Sequence, residues 1–383
     1  MNILWLSWRD IKNPAAGGAE KVAIETASRF VKRGIQVTIF TSSYLHAEPT
    51  ENIRGVKIER RGNRLTCRFY AAYKFLRNKN NFDIVIDEIN TLPFFTPLYT
   101  KKSIAFIHQL AKEYWFSQTP FPISIIGYML EPIYLALYKN QPTITISEST
   151  KSDLKSLGFK NVSLMRVGLD KINLSESNPR QNLVLFMGRL TKTKGPQDAI
   201  EAFRIISEKM PDYKLIIVGR GEESYVKRLK ARVKKLRIDK KVKFTGYITG
   251  KDKVNLLQKA KIILIPVIRE GWNLVATEAN ATGCVPIGYN VPGLRDSIKN
   301  GKNGILVEKS HENLAQAAID LLENGKKRSK LQKNGLKFAK NFNWDNTYKD
   351  FRDALRAFGP STHSVNTQVF DSEVAQTRGG RTE

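Results

Sequence analysis

The chain has 383 residues, enough for two domains with full cores, and its hydrophobic content of 41% is that of a globular protein rather than a fibrous or disordered one. Lys and Arg number 63 against 36 Asp and Glu, giving a net charge of +27, which favours polyanions, anionic membranes or phosphorylated substrates as partners. Cys67 and Cys284 make no metal pattern and read as free thiols of a reducing compartment; with no visible signal peptide and no run of 18 apolar residues, the expected location is cytoplasmic.

Residues 2–6 read as a first strand. Asn13-Pro14-Ala15-Ala16-Gly17-Gly18-Ala19-Glu20 follows, then an amphipathic helix with Val22, Ala23, Ala27, Phe30 and Val31 on one side. A glycine pair between strand and helix lets backbone amides approach a ligand, so Gly17 and Gly18 are candidate binding residues. The next strand is 35–40. Residues 54–79 carry nine Lys and Arg, interleaved toward the end with Phe69, Tyr70, Tyr73 and Phe75. Two readings fit: a solvated loop and helix whose aromatics face the core, or an anionic-membrane patch. Residues 83–87 and 103–107 are strands, the second ending at His108, where open parallel sheets place ligands. The apolar stretch 115–138 reads as a core helix, with a surface for a lipid-linked acceptor as the alternative. Residues 143–146 and 162–165 are further strands, and Ser147-Glu148-Ser149 caps a helix over 150–157.

Strands alternating with helices make 1–168 a doubly wound α/β domain. The polar, aperiodic 169–181 reads as a linker, after which the alternation restarts across 182–341. Strands are expected at 183–187, 213–218, 242–245, 262–265 and 285–288, with a last helix inside 342–358. Residues 359–383 contain no Lys and no apolar period, and read as a disordered tail or an expression remnant.

The second half holds the densest chemistry. Gly188-Arg189-Leu190-Thr191-Lys192-Thr193-Lys194-Gly195 joins a strand to a helix, so Arg189 and Lys194 can meet a diphosphate there. Gly219 and Gly246 end the next two strands. Strand 262–265 runs into Arg269-Glu270-Gly271-Trp272-Asn273-Leu274-Val275-Ala276-Thr277-Glu278. Asn273 is the expected N-cap, the first-turn amides form an anion site, and Glu278, on the face of Leu274, suits a pair of ribose hydroxyls. The first βαβ unit lacks a Gly-x-Gly-x-x-Gly, there is no Gly-Lys-Ser/Thr phosphate loop, and no Asp-x-Asp holds a divalent metal.

The Glu270-to-Glu278 stretch resembles the Glu-x7-Glu signature of the retaining glycosyltransferases of family 4, which have the GT-B fold. Gly17-Gly18, His108, Arg189, Lys194, Gly219, Gly246 and Val291-Pro292-Gly293-Leu294-Arg295-Asp296 match in order, so the resemblance spans roughly residues 1–358. It implies two Rossmann-like parallel-sheet domains facing across a cleft, with the C-terminal helix returning to the first. By the same resemblance, Arg189 and Lys194 bind the donor diphosphate, Glu278 the ribose, and Glu270 with Gly271, Asn273 and the Leu274 and Val275 amides the donor sugar, while His108 lies near the anomeric centre. The implied catalytic set is His108, Glu270, Arg189 and Lys194. The family commonly has Gly-Phe-Gly where this chain has Gly271-Trp272-Asn273, a change bearing on which sugar fits.

The expected activity is transfer of a sugar from a UDP- or GDP-sugar to a glycan or lipid-linked acceptor at the cytoplasmic membrane face, with no cofactor and no metal. A sugar-nucleotide epimerase or hydrolase of the same fold is the alternative. A nucleic-acid binder is disfavoured, because no zinc pattern or RNA-recognition motif accompanies the charge.

Overall fold

The computed structural model describes residues 1–172, 174 and 179–358; the expected tail 359–383 and the linker residues 173 and 175–178 lie outside these. In chain order the first elements are β1 (Asn2–Leu6), α1 (Gly18–Val31), β2 (Gln36–Thr41), β3 (Thr50–Ile53), β4 (Val56–Arg60), α2 (Cys67–Arg77), β5 (Ile84–Ile89), β6 (Ser103–Ile107), α3 (Tyr114–Gln118), α4 (Ile123–Ala136), β7 (Thr143–Thr145), α5 (Glu148–Ser156) and β8 (Val162–Leu164). There follow β9 (Leu183–Met187), α6 (Pro196–Lys209), β10 (Lys214–Val218), α7 (Glu223–Lys235), β11 (Val242–Gly246), α8 (Gly250–Lys259), β12 (Ile262–Ile265), α9 (Leu274–Thr282), β13 (Val285–Tyr289), α10 (Leu294–Ser297), β14 (Ile305–Val307), α11 (His311–Glu323), α12 (Gly325–Ala339) and α13 (Trp344–Phe358).

These elements form two compact units. One comprises Met1–Ala111, Ile126–Gly168 and α13; the other comprises Lys112–Ile125 and Leu169–Asn343. Residues 112–125 therefore group with the second unit, although in sequence they fall within 1–168.

The first unit has an eight-stranded sheet in the order β3-β4-β2-β1-β5-β6-β7-β8. Only the β3–β4 pairing is antiparallel. The central strands β1, β5 and β6 are buried along almost their whole length, as a sheet covered on both faces requires. On one face α13 packs on α1: the Phe351 ring stacks on Trp5 at 5.3 Å and meets Phe30 edge-on at 5.9 Å. Arg166 fixes α13 further, its guanidinium donating to both carboxylate oxygens of Asp350 at 2.6 and 2.7 Å. The C-terminal helix thus belongs to the N-terminal sheet.

Two expectations need correction. The basic stretch 54–79 is not simply a loop and helix, because it contains β4. Arg60 ends that strand with its side chain fully buried and bidentate on Asp10 at 2.7 and 3.0 Å, a contact that pushes its already high pKa further up. Arg68 donates to the Leu92 and Pro93 carbonyls at 2.6 and 2.8 Å. Of the aromatics only Phe75 enters the core, while Phe69, Tyr70 and Tyr73 are exposed. The second correction concerns 115–138. Helix α4 is not a core helix: Gly127, Glu131, Tyr134 and Leu135 face inward, and most of its large apolar side chains face out.

The second unit has a six-stranded, wholly parallel sheet in the order β11-β10-β9-β12-β13-β14. Alternate residues feed two cores. Val184, Phe186, Leu215, Ile217 and Leu264 face the first, which includes residues of α6, α7 and α11. Leu185, Ile263 and Ile265 face the second, with residues of α8, α9 and α10. This strand order reverses direction between β9 and β12. The crevice outside the carboxyl ends of those two strands is where open α/β sheets bind ligands.

Candidate active site

The loops leaving β9 and β12 diverge from this switch point and are tied together by the Ile268 amide, which donates to the Thr193 carbonyl at 3.1 Å. That tie places Lys194 against Glu270, and the ammonium donates to Oε1. Both side chains are mostly buried, at 19% and 11% exposure. Asn273 Nδ2 donates to the same oxygen at 3.2 Å, while its Oδ1 accepts from the Ala276 amide at 2.8 Å. Asn273 is therefore the N-cap of α9 and also a brace for Glu270. Capping uses the Ala276 amide and leaves those of Leu274 and Val275 without a protein acceptor among the described residues.

Backbone contacts hold the Glu270 loop from behind. The Glu270 amide donates to the Pro292 carbonyl at 3.0 Å. Gly293, at φ +77°, comes so close that a Cβ there would lie 1.9 Å from the Glu270 carbonyl oxygen. Gly219 has a similar constraint: at φ +147°, its Cβ would lie 1.8 Å from the Gly188 carbonyl oxygen. The Gly188 amide donates to Val218 at 3.0 Å and that of Gly219 to Gly246 at 2.9 Å, lacing together the loops after β9, β10 and β11.

Arg189 is exposed, and its guanidinium has no partner among the described residues. Gly271 is buried in the Glu270 loop and Gly246 is exposed at φ +73°. Glu278 Oε2 lies 2.5 Å from Lys253 Nζ of α8, but that oxygen is buried with no donor aligned to hydrogen-bond it. The two meet as charges rather than as an oriented pair. Trp272 turns away from the cap: its Nε1 donates to Thr277 Oγ1 at 3.0 Å and its ring lies 5.0 Å from that of Phe342.

The candidates of the first unit lie at the corresponding ends of β1 and β6. The Gly17 amide is already taken, donating to Glu20 Oε2 at 2.7 Å, while Glu20 Oε1 accepts from Arg9 at 2.8 Å. Gly18 opens α1. His108 is buried, with Nε2 2.8 Å from Glu88 Oε1; Glu88 Oε2 accepts from Trp5 Nε1 at 2.8 Å. Glu88 was not among the sequence candidates, nor was Lys253. A signal for Glu88 existed, since β5 places Asp87 and Glu88 side by side inside an otherwise apolar buried strand. Asp87 is fully buried; desolvation raises its pKa, against hydrogen bonds from Tyr138, Phe94 and Thr96. It anchors the segment after β5. For Lys253 there is no local signal.

Comparison with known proteins bears on both halves. Residues 16–170 match the sequence model described as Glycosyltransferase Family 4, and residues 170–338 match that of Glycosyl transferases group 1. The chain is of the glycosyltransferase group 1/family 4 type. An uncharacterized glycosyltransferase of Methanocaldococcus jannaschii is 29% identical over 238 residues, which is 57% of this chain and 60% of that protein. A D-inositol 3-phosphate glycosyltransferase of Corynebacterium urealyticum is 29% identical over 178 residues, 45% of this chain and 42% of that one. The chain thus aligns with about half the length of these curated relatives. Among solved structures, the sucrose-phosphate synthase of Thermosynechococcus elongatus superposes with TM-score 0.76 at 19% identity, covering 93% of this chain and 98% of that one. Anabaena HepE in complex with UDP-glucose gives 0.74 at 19% identity, covering 93% and 100%. At such identities the likeness establishes the fold of this glycosyltransferase-type chain, which is GT-B.

Proposed function

We propose that this chain transfers a sugar from a nucleotide-diphosphate sugar to a glycan or lipid-linked acceptor at a membrane surface, keeping the anomeric configuration. The observation that carries the reading is the cluster at the β9/β12 switch point. Lys194, the open Leu274 and Val275 amides and the N-terminal dipole of α9 offer positive potential at one place. Glu270, held by Lys194 and Asn273, presents a fixed acceptor for sugar hydroxyls beside it. Arg189, free on the same strand-to-helix loop, is a second cation for the diphosphate. Glu278 takes the ribose in this scheme.

Neither Glu270 nor Glu278 is left as a nucleophile in this scheme, so a covalent glycosyl-enzyme is not its route. The bond between the anomeric carbon and the phosphate oxygen breaks as the acceptor oxygen bonds on the same face, and the acceptor proton passes to the departing phosphate oxygen. Lys194, Arg189 and the two amides stabilise the charge growing there; losing one such preorganised donor typically costs about 10²–10³ in rate. The fold that UDP-glucose-bound HepE shares supports a nucleotide-sugar donor. The proposed association is peripheral; no helix among the described residues is long and apolar enough to cross a membrane.

The test is a panel of UDP- and GDP-sugars in calorimetry, followed by proton NMR of the first-formed product. A retained anomeric coupling supports the proposal. An inverted linkage, or turnover that ignores acceptor, refutes it.

A further inference from the structure

The outer face of α4 has the polarity of a core turned toward solvent. From Ile126 onward, Met129, Leu130 and Ile133 are exposed, with Ile133 at 65%. Glu131, the only acidic residue between 119 and 140, points inward and accepts from the Ala111 amide at 2.6 Å. The exposed face therefore has no negative charge. Helix α2 repeats the arrangement: Cys67, Ala71 and Phe75 are buried, while Phe69 and Tyr73 are 77% and 51% exposed.

Both helices lie on the same side of the sheet. Leu4, Leu6 and Val85 carry α2, and Ile89, Ala105 and Ile107 carry α4. The β5–β6 register pairs Asp87 with Ala105 and Ile89 with Ile107, and β1–β5 pairs Leu4 with Val85, so these residues share one face. Arg68 of α2 and Tyr134 of α4 both hydrogen-bond the segment that follows β5, through the carbonyls of Pro93 and Thr91.

Positive charge borders this apolar surface. Beside α2 a cavity of about 320 Å³ is lined by Arg61, Lys74, Arg77, Tyr70 and Tyr73. Lys74 shares the Glu59 carboxylate with Lys57, each at 2.7 Å, whereas Arg61 and Arg77 are exposed and have no carboxylate partner among the described residues. An exposed apolar face beside guanidinium groups that lie over the Tyr70 and Tyr73 rings, at 4.5 and 5.0 Å, and carry no carboxylate complements acyl chains beside anionic headgroups.

We propose that the outer faces of α2 and α4 are an interfacial anchor for an anionic lipid bilayer. Helix α4 lies along the membrane surface with Met129, Leu130 and Ile133 among the acyl chains, about 5–10 Å below the headgroups. Arg61 and Arg77 meet the lipid phosphates. The inference gives the peripheral association proposed above its contact surface, and rests on that part of the reading alone; sugar transfer is not needed for it.

The full chain is sedimented with phosphatidylcholine vesicles, with and without phosphatidylglycerol, at low and high salt. Both apolar positions are exposed, so the double variant Met129→Glu, Ile133→Glu keeps its fold, checked by melting temperature and by binding of UDP-glucose. It loses vesicle binding at least about tenfold in both compositions. The variant Arg61→Gln, Arg77→Gln loses only the extra affinity for phosphatidylglycerol and its salt dependence. Ile133→Trp gives blue-shifted fluorescence with vesicles. Wild-type binding to phosphatidylglycerol vesicles that is undetectable, or that survives both glutamates, overturns the proposal. So does a wild-type dimer in analytical ultracentrifugation that the double variant dissociates, since the face would then join two copies of the chain. Failure of UDP-glucose binding with vesicle binding intact would count against the transfer reading alone.

Discussion

Glu88 is the centre of a buried side-chain network in the first unit. Its two oxygens divide their work: Oε2 accepts from Trp5 Nε1 and Oε1 pairs with His108 Nε2, both at 2.8 Å. An ionised carboxylate only accepts, so His108 Nε2 carries the hydrogen in this arrangement. Glu88→Ala removes both bonds. It leaves the indole N–H of Trp5, a residue with 0% exposure, without an acceptor. Two charge-assisted bonds of about 1.5–3 kcal/mol each, less the relief of no longer burying a carboxylate, give a loss of about 3 kcal/mol. Glu88→Gln behaves differently. Its carbonyl keeps the Trp5 bond, and its NH₂ faces His108 Nε2, which must then be the unprotonated nitrogen. The ring accommodates this by moving its hydrogen to Nδ1, so the cost stays below about 1 kcal/mol. Urea unfolding measures the two stabilities, and ¹H–¹⁵N correlation of the imidazole identifies the tautomer. A Glu88→Ala protein as stable as wild type, or a Glu88→Gln protein with His108 still protonated at Nε2, would refute the reasoning.

Arg189 and Lys194 should separate in the same pair of experiments. Each substitution to Gln weakens nucleotide-sugar binding about 30-fold, which is ~2 kcal/mol and about half the gross Coulomb term at an effective dielectric of 20. Only Lys194→Gln lowers the melting temperature, because only Lys194 also holds Glu270; equal melting shifts would contradict that division. Glu278→Ala should weaken UDP-glucose at least about tenfold in calorimetry, the loss of hydrogen bonds to a charged group, while far-ultraviolet circular dichroism stays unchanged. Unaltered affinity would remove Glu278 from the site. Burial pushes the Cys284 thiol up to about 12 and raises that of Cys67, so neither is thiolate near neutral pH. Iodoacetamide should label neither until the chain is unfolded, and rapid native labelling seen in the intact mass would show that one of them is open to solvent.

The parts of this molecule that sequence revealed are those decided within about ten residues. The strand–Asn273–helix junction is one, because an N-cap, its amide and the helix behind it all lie inside a single turn. The parts that stayed hidden depend on partners far along the chain. Val56, Ile58 and Arg60 alternate inward as a strand should, but the pattern reads as a basic loop until Asp10, fifty residues away, is known to neutralise Arg60. The pairing of Lys194 with Glu270 spans 76 residues. Helix α4 misled for another reason. Its apolar content is real, but hydrophobicity alone does not say whether the burying medium is this chain's own core or something outside it.

The strand order of the second sheet explains why Glu270 and Glu278 find their partners outside their own stretch. Glu270 leaves β12, whose neighbour β9 leads into an adjacent loop running the other way, so the side chain that reaches Glu270 comes from that loop. Lys253 reaches Glu278 in the same manner from α8. Two bare carboxylates beside a helix N-terminus would spend that positive potential on themselves and repel a diphosphate. With a lysine on each, the local charge sums to about zero before any ligand arrives, and the potential of the α9 amides remains available. In the donor site proposed above, a diphosphate would draw on Lys194 without leaving Glu270 bare, because Asn273 Nδ2 is bonded to the same oxygen. Asn273 thus does two jobs that a glycine there cannot: its Oδ1 caps the helix, and its Nδ2 holds Glu270 alongside Lys194.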